Sequence, residues 1–425
     1  MLKNKMLNPR NLEIYEEKSI LTGLLPKDDN FTFSSLEKKL KTIKNFKLID
    51  YKPNNAYNGA IINCEYMGIS YEVELRINVF NGESFPESYI SQTYYFTEQE
   101  IKSIKESTKA LSIIMKFDSD PRKDFSLQIK VIWALIPSLV GVIDDNAMKI
   151  LPPKLVKMFA ESKYPISPND LYMIHAVYDE AGNVWLHTHG LNRCGITELE
   201  ILNANQENGI SYQNILSAFA NYTIENKKDG FDPLKHSACI GWFSDKTSIV
   251  LTCLMWNEAI TLYNNIDMGG LNDRNNDHNG FTSVIFAYDS KEDNAPQIKD
   301  ITKYNDKIDD NMILFYSKAE TKRMSDVAKE RIGAVYNAYK SKDNQILFKV
   351  GLPIENDTSD YEHIWFELIE IKEDIFKCKL TQEPYELKNI KIGDIREFTL
   401  KDITDWIIYT PKGSVNPNNA YILLN

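Results

Sequence analysis

Cysteine is scarce in this sequence, which has five among 425 residues and no CxxC pair. An odd number of widely separated cysteines argues against a disulfide framework and is typical of free thiols in a reducing compartment. The first twelve residues lack the apolar core of a signal peptide. The longest apolar run, 131–143, contains Pro137 and is too short to cross a bilayer. We therefore expect a cytoplasmic protein that does not enter the membrane.

Clusters of basic residues and phosphate-binding motifs are also missing. Asp and Glu outnumber Lys and Arg by 60 to 49, and the net charge of −11 disfavours binding to a nucleic-acid backbone as a main role. Neither GxGxxG nor GxxxxGK followed by Ser or Thr occurs in the sequence. The two glycines between Met268 and Leu271 form too short a stretch to replace such a motif, and they predict a turn.

The length of the chain predicts several domains, because 425 residues exceed the size of one ordinary core. The predicted fold class is α+β: two α/β-sandwich-like regions with mostly antiparallel sheets, followed by a small C-terminal β-barrel-like module. The predicted divisions are an N-terminal α+β domain at 1–165, a central α+β domain with a histidine-rich hairpin at 166–318, a connecting helix at 319–342 and the C-terminal β module at 343–425.

Hydrophobic periodicity predicts the elements within these regions. The N-terminal pattern predicts helices over about 34–46, 97–116 and 125–139, and strands over 59–66 and 69–79. The central pattern predicts a hairpin over 171–189, a helix over 212–222, and strands over 238–243, 248–255 and 281–288. One continuous helix over about 319–340 and some five short strands complete the prediction.

Two stretches resemble bacterial families of unknown function. The tail resembles the YegJ-like bacterial domain through a set of shared positions: EHIWFE at 362–367, Leu380, Glu383-Pro384, Gly393-Asp394 and ITDW at 403–406. The longer region before it resembles another uncharacterised bacterial family at 186–191, Gly195 and 198–200, with further support at 151–153. Related modules occur in bacterial toxin-immunity neighbourhoods, so the resemblance implies a protein partner and a binding role.

Metal-binding side chains are concentrated in one short stretch. His187 and His189, separated by a single threonine, are followed by Cys194, Glu198 and Glu200, in a sequence with only six histidines. Neutral imidazoles and carboxylates are the groups that divalent metals recruit. This stretch is therefore the first candidate for a functional site.

The turn between the two strands of the predicted hairpin determines which side chains share a face. A three-residue loop with Gly182 in the left-handed conformation gives a bulged type I turn. That register places His175 directly opposite His187. Because side chains on one face of a strand recur every two residues, His175, His187 and His189 share a face with Trp185.

This face predicts a metal site with His175, His187 and His189 as ligands and zinc as the first candidate cofactor. Two alternatives stay open. Apolar neighbours on the same face favour a structural, hydrogen-bonded cluster of histidine and glutamate over the metal site, and a pocket for a non-metal ligand is the third possibility. A slip of one residue in the register would separate His175 from His187.

Three further residues are predicted to take part in ligand binding. Trp185 lies on the histidine face, and Glu198 and Glu200 point to one side if the neighbouring segment is a strand. One of the two glutamates would then complete a metal site or act as a general base.

The polar loop at 267–280 has the composition of a calcium loop but not its full pattern. Its alternating acids and amides are Asp273, Asn275, Asp277 and Asn279. The terminal glutamate is missing and the glycine is displaced to Gly280, so an ordinary loop is favoured.

Two other pairs of residues favour structural roles. His236 and Cys239 have the residue types of a nucleophile and its base, but no orienting acid is evident, so we predict a buried thiol at Cys239. Trp365 and Trp406 alternate with aliphatic residues, which favours core packing over ligand stacking.

Two classes of function remain open. We prefer a non-catalytic protein-interaction protein, in the manner of a toxin-immunity protein, because no catalytic motif is present and the chain is acidic. The alternative is a metal-dependent hydrolase that uses the face of His187 and His189. Substrate, partner identity and oligomeric state do not follow from the sequence.

Overall fold

The computed structural model describes residues 17–29, 31–54, 58–86, 89–90, 94–118, 120–274, 280–289, 297–308, 312–341, 343–354, 357–411 and 413–423. These residues form two compact units. The first contains the described parts of 1–153 and 166–316, and the second those of 154–165 and 317–425. Helices and mostly antiparallel sheets occur in both units, which confirms the α+β fold class. Every helix in the described ranges is too short or too polar to span a membrane.

The N-terminal elements form the first sheet and its helices. In chain order they are β1 (Ser19–Leu24), α1 (Leu36–Leu40), β2 (Phe46–Asn54), β3 (Gly59–Tyr66), β4 (Ile69–Val79), α2 (Glu98–Glu106), β5 (Lys109–Met115), α3 (Pro121–Leu135), β6 (Gly141–Asp144) and β7 (Lys149–Leu151). Within the described residues seven strands pair antiparallel in the order β2-β3-β4-β5-β1-β6-β7. Strands β3 and β4 begin and end where the sequence predicts.

The predicted helix over 97–116 is wrong in its second half. Thr97 and Glu100 form a capping box that starts α2, but the helix ends at Glu106. The residues that follow form β5, which pairs with β1 on one side and β4 on the other. From Ala110 onward every residue of β5 is buried. Its apolar residues therefore run continuously instead of alternating, and such a run fits a helical pattern as well as a strand.

Helix α4 (Pro153–Glu161) comes next in the chain and is followed by the elements of the second sheet and its helices. These elements are β8 (Met173–Tyr178), β9 (Asn183–His189), β10 (Glu198–Asn205), α5 (Gly209–Asn226), β11 (Ala238–Trp242), β12 (Ser248–Met255), α6 (Trp256–Ala259), β13 (Thr282–Asp289), β14 (Gln297–Asp300) and β15 (Ile313–Leu314). In this part of the structure the described strands follow the order β15-β11-β12-β13-β10-β9-β8, and β14 pairs with β13. Strands β10 and β13 are parallel. Helix α5 packs on β9, β10 and β11.

The second unit contains most of α4 and the C-terminal elements. These elements are α7 (Lys318–Glu330), α8 (Gly333–Tyr339), β16 (Gln345–Ile354), β17 (Asp357–Lys372), β18 (Ile375–Leu380), β19 (Ile395–Thr399), β20 (Ile403–Thr410) and β21 (Gly413–Val415). Six described strands pair in the order β19-β18-β17-β16-β20-β21. Helix α7 packs on β20, where the fully buried Trp406 donates its indole N–H to the carbonyl of Ala328 at 2.9 Å.

The prediction of one continuous helix over 319–340 is wrong, because α7 and α8 are separate helices. The interruption lies at Arg331 and Ile332, and α8 begins at Gly333, a residue type that weakens a helix interior. The Arg331 guanidinium donates to the carbonyl of Pro417 at 2.6 Å, which fixes this junction against the C-terminal segment. The predicted helix over 34–46 is likewise shorter, since only α1 within it is α-helical.

Candidate metal site

The turn of the β8–β9 hairpin is held by Asp179. Its carboxylate accepts the backbone N–H of Asn183 at 2.8 Å and the side-chain amide of the same residue at 2.7 Å. Gly182 has a φ of 87°, the left-handed conformation that the predicted turn requires. The predicted register is confirmed, because His175 pairs with His187 across the two strands.

Three histidines lie together on one face of this hairpin, and we call His175, His187 and His189 the histidine cluster. The ring centroids are 5.7 Å apart for His175 and His187, 4.6 Å for His175 and His189, and 5.0 Å for His187 and His189. One ring nitrogen from each residue can be chosen so that all three lie within 4.8 Å of one another. His187 and His189 are buried and His175 is half-buried, so the cluster is accessible from the side of β8.

Trp185 connects the histidine cluster to the core of the second sheet. Its ring centroid lies 4.3 Å from that of His187, and the side chain is 3% exposed. The other side of the indole packs in a hydrophobic cluster that includes Leu202 and Phe286. Trp185 therefore fixes one wall of the site and has little free surface for a ligand of its own.

Glu200 lies directly opposite His187 on the neighbouring strand β10. Its carboxylate accepts hydrogen bonds from three side chains: the indole N–H of Trp185 at 2.8 Å, the guanidinium of Arg274 at 2.7 Å and the hydroxyl of Thr282. The side chain is fully buried, and Arg274 neutralises its charge. These donors hold Glu200 beside the cluster instead of leaving it available as a ligand or base.

Glu198 holds the turn that follows β9. Its carboxylate accepts the backbone N–H groups of Gly190 at 2.8 Å and Asn192 at 3.1 Å, together with the hydroxyl of Thr188 at 2.6 Å. Burial raises the pKa of the Glu198 carboxyl, and these hydrogen bonds oppose the rise. The hydrogen bonds of Glu198 thus organise the backbone after His189.

Arg274 is a member of this site that sequence reasoning missed. Its guanidinium lies 5.1 Å from the ring centroid of Trp185 and 4.1 Å from that of Trp256, and it forms the ion pair with Glu200. Burial lowers the pKa of the Arg274 guanidinium, and the negative charge of Glu200 opposes that shift. The only sequence signal was an arginine in a loop otherwise rich in Asn, Asp and Gly.

The segment before Arg274 contains the first residue of the suggested calcium pattern. The Asp273 carboxylate accepts the backbone N–H groups of Gly269 and Gly270, both at 2.9 Å. Gly269 has a φ of 83°, so the turn predicted for this glycine pair is confirmed. The other three positions of the calcium pattern, 275, 277 and 279, lie outside the described residues.

The remaining candidates belong to structural environments. The prediction that Cys239 is buried is wrong: it is exposed on β11, and its thiol contacts the carbonyl of Gly241 at 3.7 Å. The strand alternation that buries its neighbours turns this side chain outward. The predicted core role is confirmed for Trp406, whereas Trp365 is half-buried with the Lys349 ammonium 5.4 Å from its ring centroid.

Comparison with known families matches three parts of the chain. Residues 19–166 match the family described as protein of unknown function (DUF4026) N-terminal, and residues 174–286 match its C-terminal counterpart. These two matches lie next to each other in the chain and carry the same family number, DUF4026. Residues 324–416 match the family described as uncharacterized protein conserved in bacteria (DUF2314). Comparisons with curated proteins and with solved structures give no match.

The matched segments confirm the predicted resemblance to uncharacterised bacterial families, with a two-part N-terminal region and a separate C-terminal domain. The histidine cluster, both glutamates and Arg274 all lie within the segment that matches the DUF4026 C-terminal family. The candidate site therefore lies wholly within one family-defined segment.

Proposed function

We propose that this protein is a non-catalytic binding protein whose β8–β9 hairpin binds a zinc ion through His175, His187 and His189. One observation carries the proposal: three imidazole nitrogens from two paired strands lie within 4.8 Å of one another. Imidazole is a preferred zinc ligand, and three histidines with one open position form a known type of zinc site.

The three ring nitrogens would fit a zinc ion once the distances between them shorten slightly. Zinc binds histidine nitrogen at roughly 2.0–2.1 Å, so two ligands of a tetrahedral site lie about 3.3 Å apart. Side-chain rotations that shorten the longest separation by about 1.5 Å would bring the three nitrogens onto one ion. The backbone need not move, because the Asp179 turn and the strand pairing already fix the hairpin.

The surroundings of the cluster favour binding over hydrolysis. A zinc hydrolase needs an acid or base that can reach the metal-bound water. Both glutamates predicted for that role are occupied: Glu200 accepts three side-chain donors, and Glu198 accepts donors from the turn after β9. The open coordination position would then accept water or a side chain of a protein partner, as expected for an interaction protein of the immunity type.

Metal content is the direct test of this proposal. The purified full chain, loaded with zinc and freed of excess metal, should retain one ion per chain by elemental analysis. The double variant H187A/H189A should retain none, whereas H236A, which removes an exposed histidine outside the cluster, should bind as the wild type does. A wild-type chain that retains no stoichiometric zinc, cobalt or nickel would sink the proposal.

Cobalt provides a check on the ligand set. Co²⁺ in place of zinc should give the visible absorption of a four-coordinate nitrogen site, and H175A should weaken and shift that band. The hydrolase alternative gains support only if the zinc-loaded chain cleaves a simple ester or phosphoester and E200Q abolishes that activity while zinc stays bound.

A further inference from the structure

A cavity with polar lining residues lies at the start of β8, and we call it the Lys149 pocket. Its volume is about 480 Å³, within the range of roughly 300–1,000 Å³ that small-molecule sites occupy. The start of β8, one face of α5 and the edge strand β15 line it, and Lys149 of β7 joins them. All these elements belong to the first compact unit.

Lys149 brings a buried positive charge to this pocket. The residue is 2% exposed, and its ammonium donates to the carbonyls of Asp170 at 2.7 Å and Tyr172 at 3.4 Å. An ammonium has three N–H donors, so one remains for a further acceptor. Burial lowers the pKa of Lys149, and the charges of Asp144 and Asp170 oppose that shift.

Two carboxylates whose charges act on Lys149, those of Asp144 and Asp170, accept hydrogen bonds from other groups. Asp144 forms a bidentate pair with Arg193, at 2.6 and 2.9 Å, and both side chains are fully buried. One carboxylate oxygen of Asp170 accepts the backbone N–H of Ser167 in a turn. Arg193 is thus paired with Asp144, whereas Lys149 makes no direct ion pair with a described residue.

The walls of the pocket carry amides, hydroxyls and aromatic rings. The buried Tyr172 hydroxyl donates toward Asn169 at 2.9 Å and Asn221 at 3.0 Å, and the amide of Asn221 donates to Asn169 at 3.0 Å. Gln213 of α5 and the ring of Tyr316 complete the opening. Among the described residues that line the pocket, Lys149 is the one charged side chain.

We propose that the Lys149 pocket binds a small organic carboxylate that also carries amide or hydroxyl groups. The carboxylate would accept the third N–H of Lys149 and supply the direct ion pair that this ammonium lacks among the described residues. The amides of Asn169, Asn221 and Gln213 match neutral polar groups on the body of the ligand. A carboxylate fits better than a phosphate, because phosphate sites favour several donors or an arginine fork and this pocket offers a single ammonium.

The test uses matched pairs of probes on the full chain. N-acetylglycine, N-acetylphenylalanine and lactate are compared with their carboxamides by ligand-observed NMR and calorimetry, with inorganic phosphate as a third arm. We expect at least one carboxylate to bind more than about tenfold more tightly than its amide, since a hydrogen bond to a charged group contributes about 1.5–3 kcal/mol. K149M should lose that same factor, and N221A should weaken binding less.

A surface lysine gives the matched control. K235M removes an exposed ammonium in the same unit and should bind the probes as the wild type does. Circular dichroism establishes that each variant is folded, and Q213A, an exposed substitution in the wall, tests the pocket should K149M not fold. The proposal fails if no carboxylate binds, if the amides or phosphate bind as tightly, or if K149M and Q213A both bind like the wild type. None of these results depends on zinc.

Discussion

The histidine cluster and the Lys149 pocket both involve strand β8, but they differ in whether the buried charged side chain beside them has a direct ion-pair partner. Beside the cluster, Glu200 is neutralised by Arg274, and one ring nitrogen from each of the three histidines lies within 4.8 Å of the others. In the pocket, Arg193 pairs with the carboxylate of Asp144, and Lys149 makes no direct ion pair with a described residue. This difference underlies the two proposals, a zinc ion at the histidine cluster and a carboxylate at the Lys149 pocket.

The largest expected loss of stability comes from breaking the ion pair between Arg274 and Glu200. R274M leaves Glu200 buried without its counter-charge, and removal of one partner of a buried ion pair costs about 3–5 kcal/mol. K149M breaks no direct ion pair but leaves the carbonyls of Asp170 and Tyr172 without their donor, so we expect a smaller loss of about 1–3 kcal/mol. Urea unfolding followed by tryptophan fluorescence measures both. If K149M destabilises the chain as much as R274M, the contrast between the two places is wrong.

Zinc binding should raise the free energy of unfolding by a smaller amount. A ligand that binds the folded chain alone raises the free energy of unfolding by about 2.7 kcal/mol at a hundredfold excess over its dissociation constant. We expect that gain for the wild type and none for H187A/H189A, in unfolding experiments with zinc and with a chelator. A gain of equal size in the variant would place the metal elsewhere in the chain.

The buried carboxyl of Asp124 extends the comparison to a group that becomes negatively charged. Burial raises the pKa of this carboxyl to about 6, although it accepts the Tyr71 hydroxyl at 2.6 Å and a backbone N–H at 2.7 Å. The folded chain therefore holds this proton more tightly than the unfolded chain. Below about pH 4 both states are protonated, and the contribution of Asp124 becomes destabilising as the pH rises toward about 6.

D124N removes this pH dependence. The free energy of unfolding of D124N relative to the wild type should rise by about 2–3 kcal/mol between about pH 4 and pH 7, since each unit of pKa shift corresponds to about 1.4 kcal/mol. Urea unfolding at several pH values measures the difference. A difference that stays constant over this range would mean that the pKa of Asp124 is not raised.

The histidine face could be predicted because its geometry is local. The turn chemistry of Gly182 fixes the pairing, and strand periodicity then places His175, His187 and His189 on one side. Burial on both faces hides such a pattern in β5, where apolar residues occupy consecutive positions.

Contacts between residues far apart in the sequence could not be predicted from local sequence patterns. Arg274 reaches Glu200 from a loop 74 residues further along the chain. The Lys149 pocket gathers residues from β7, α5 and β15, which no local pattern brings together. Because buried polar groups require partners wherever the fold supplies them, these contacts depend on the assembled sheets and not on neighbouring residues.

X-ray absorption at the zinc edge tests the central claim most directly. The zinc-loaded full chain should give a first shell with three imidazole nitrogens at about 2.0–2.1 Å and one further light ligand. That imidazole signal should disappear in H187A/H189A and persist in H236A. A shell without imidazole scattering, or one that is the same in the wild type and in H187A/H189A, would contradict a zinc site formed by His175, His187 and His189.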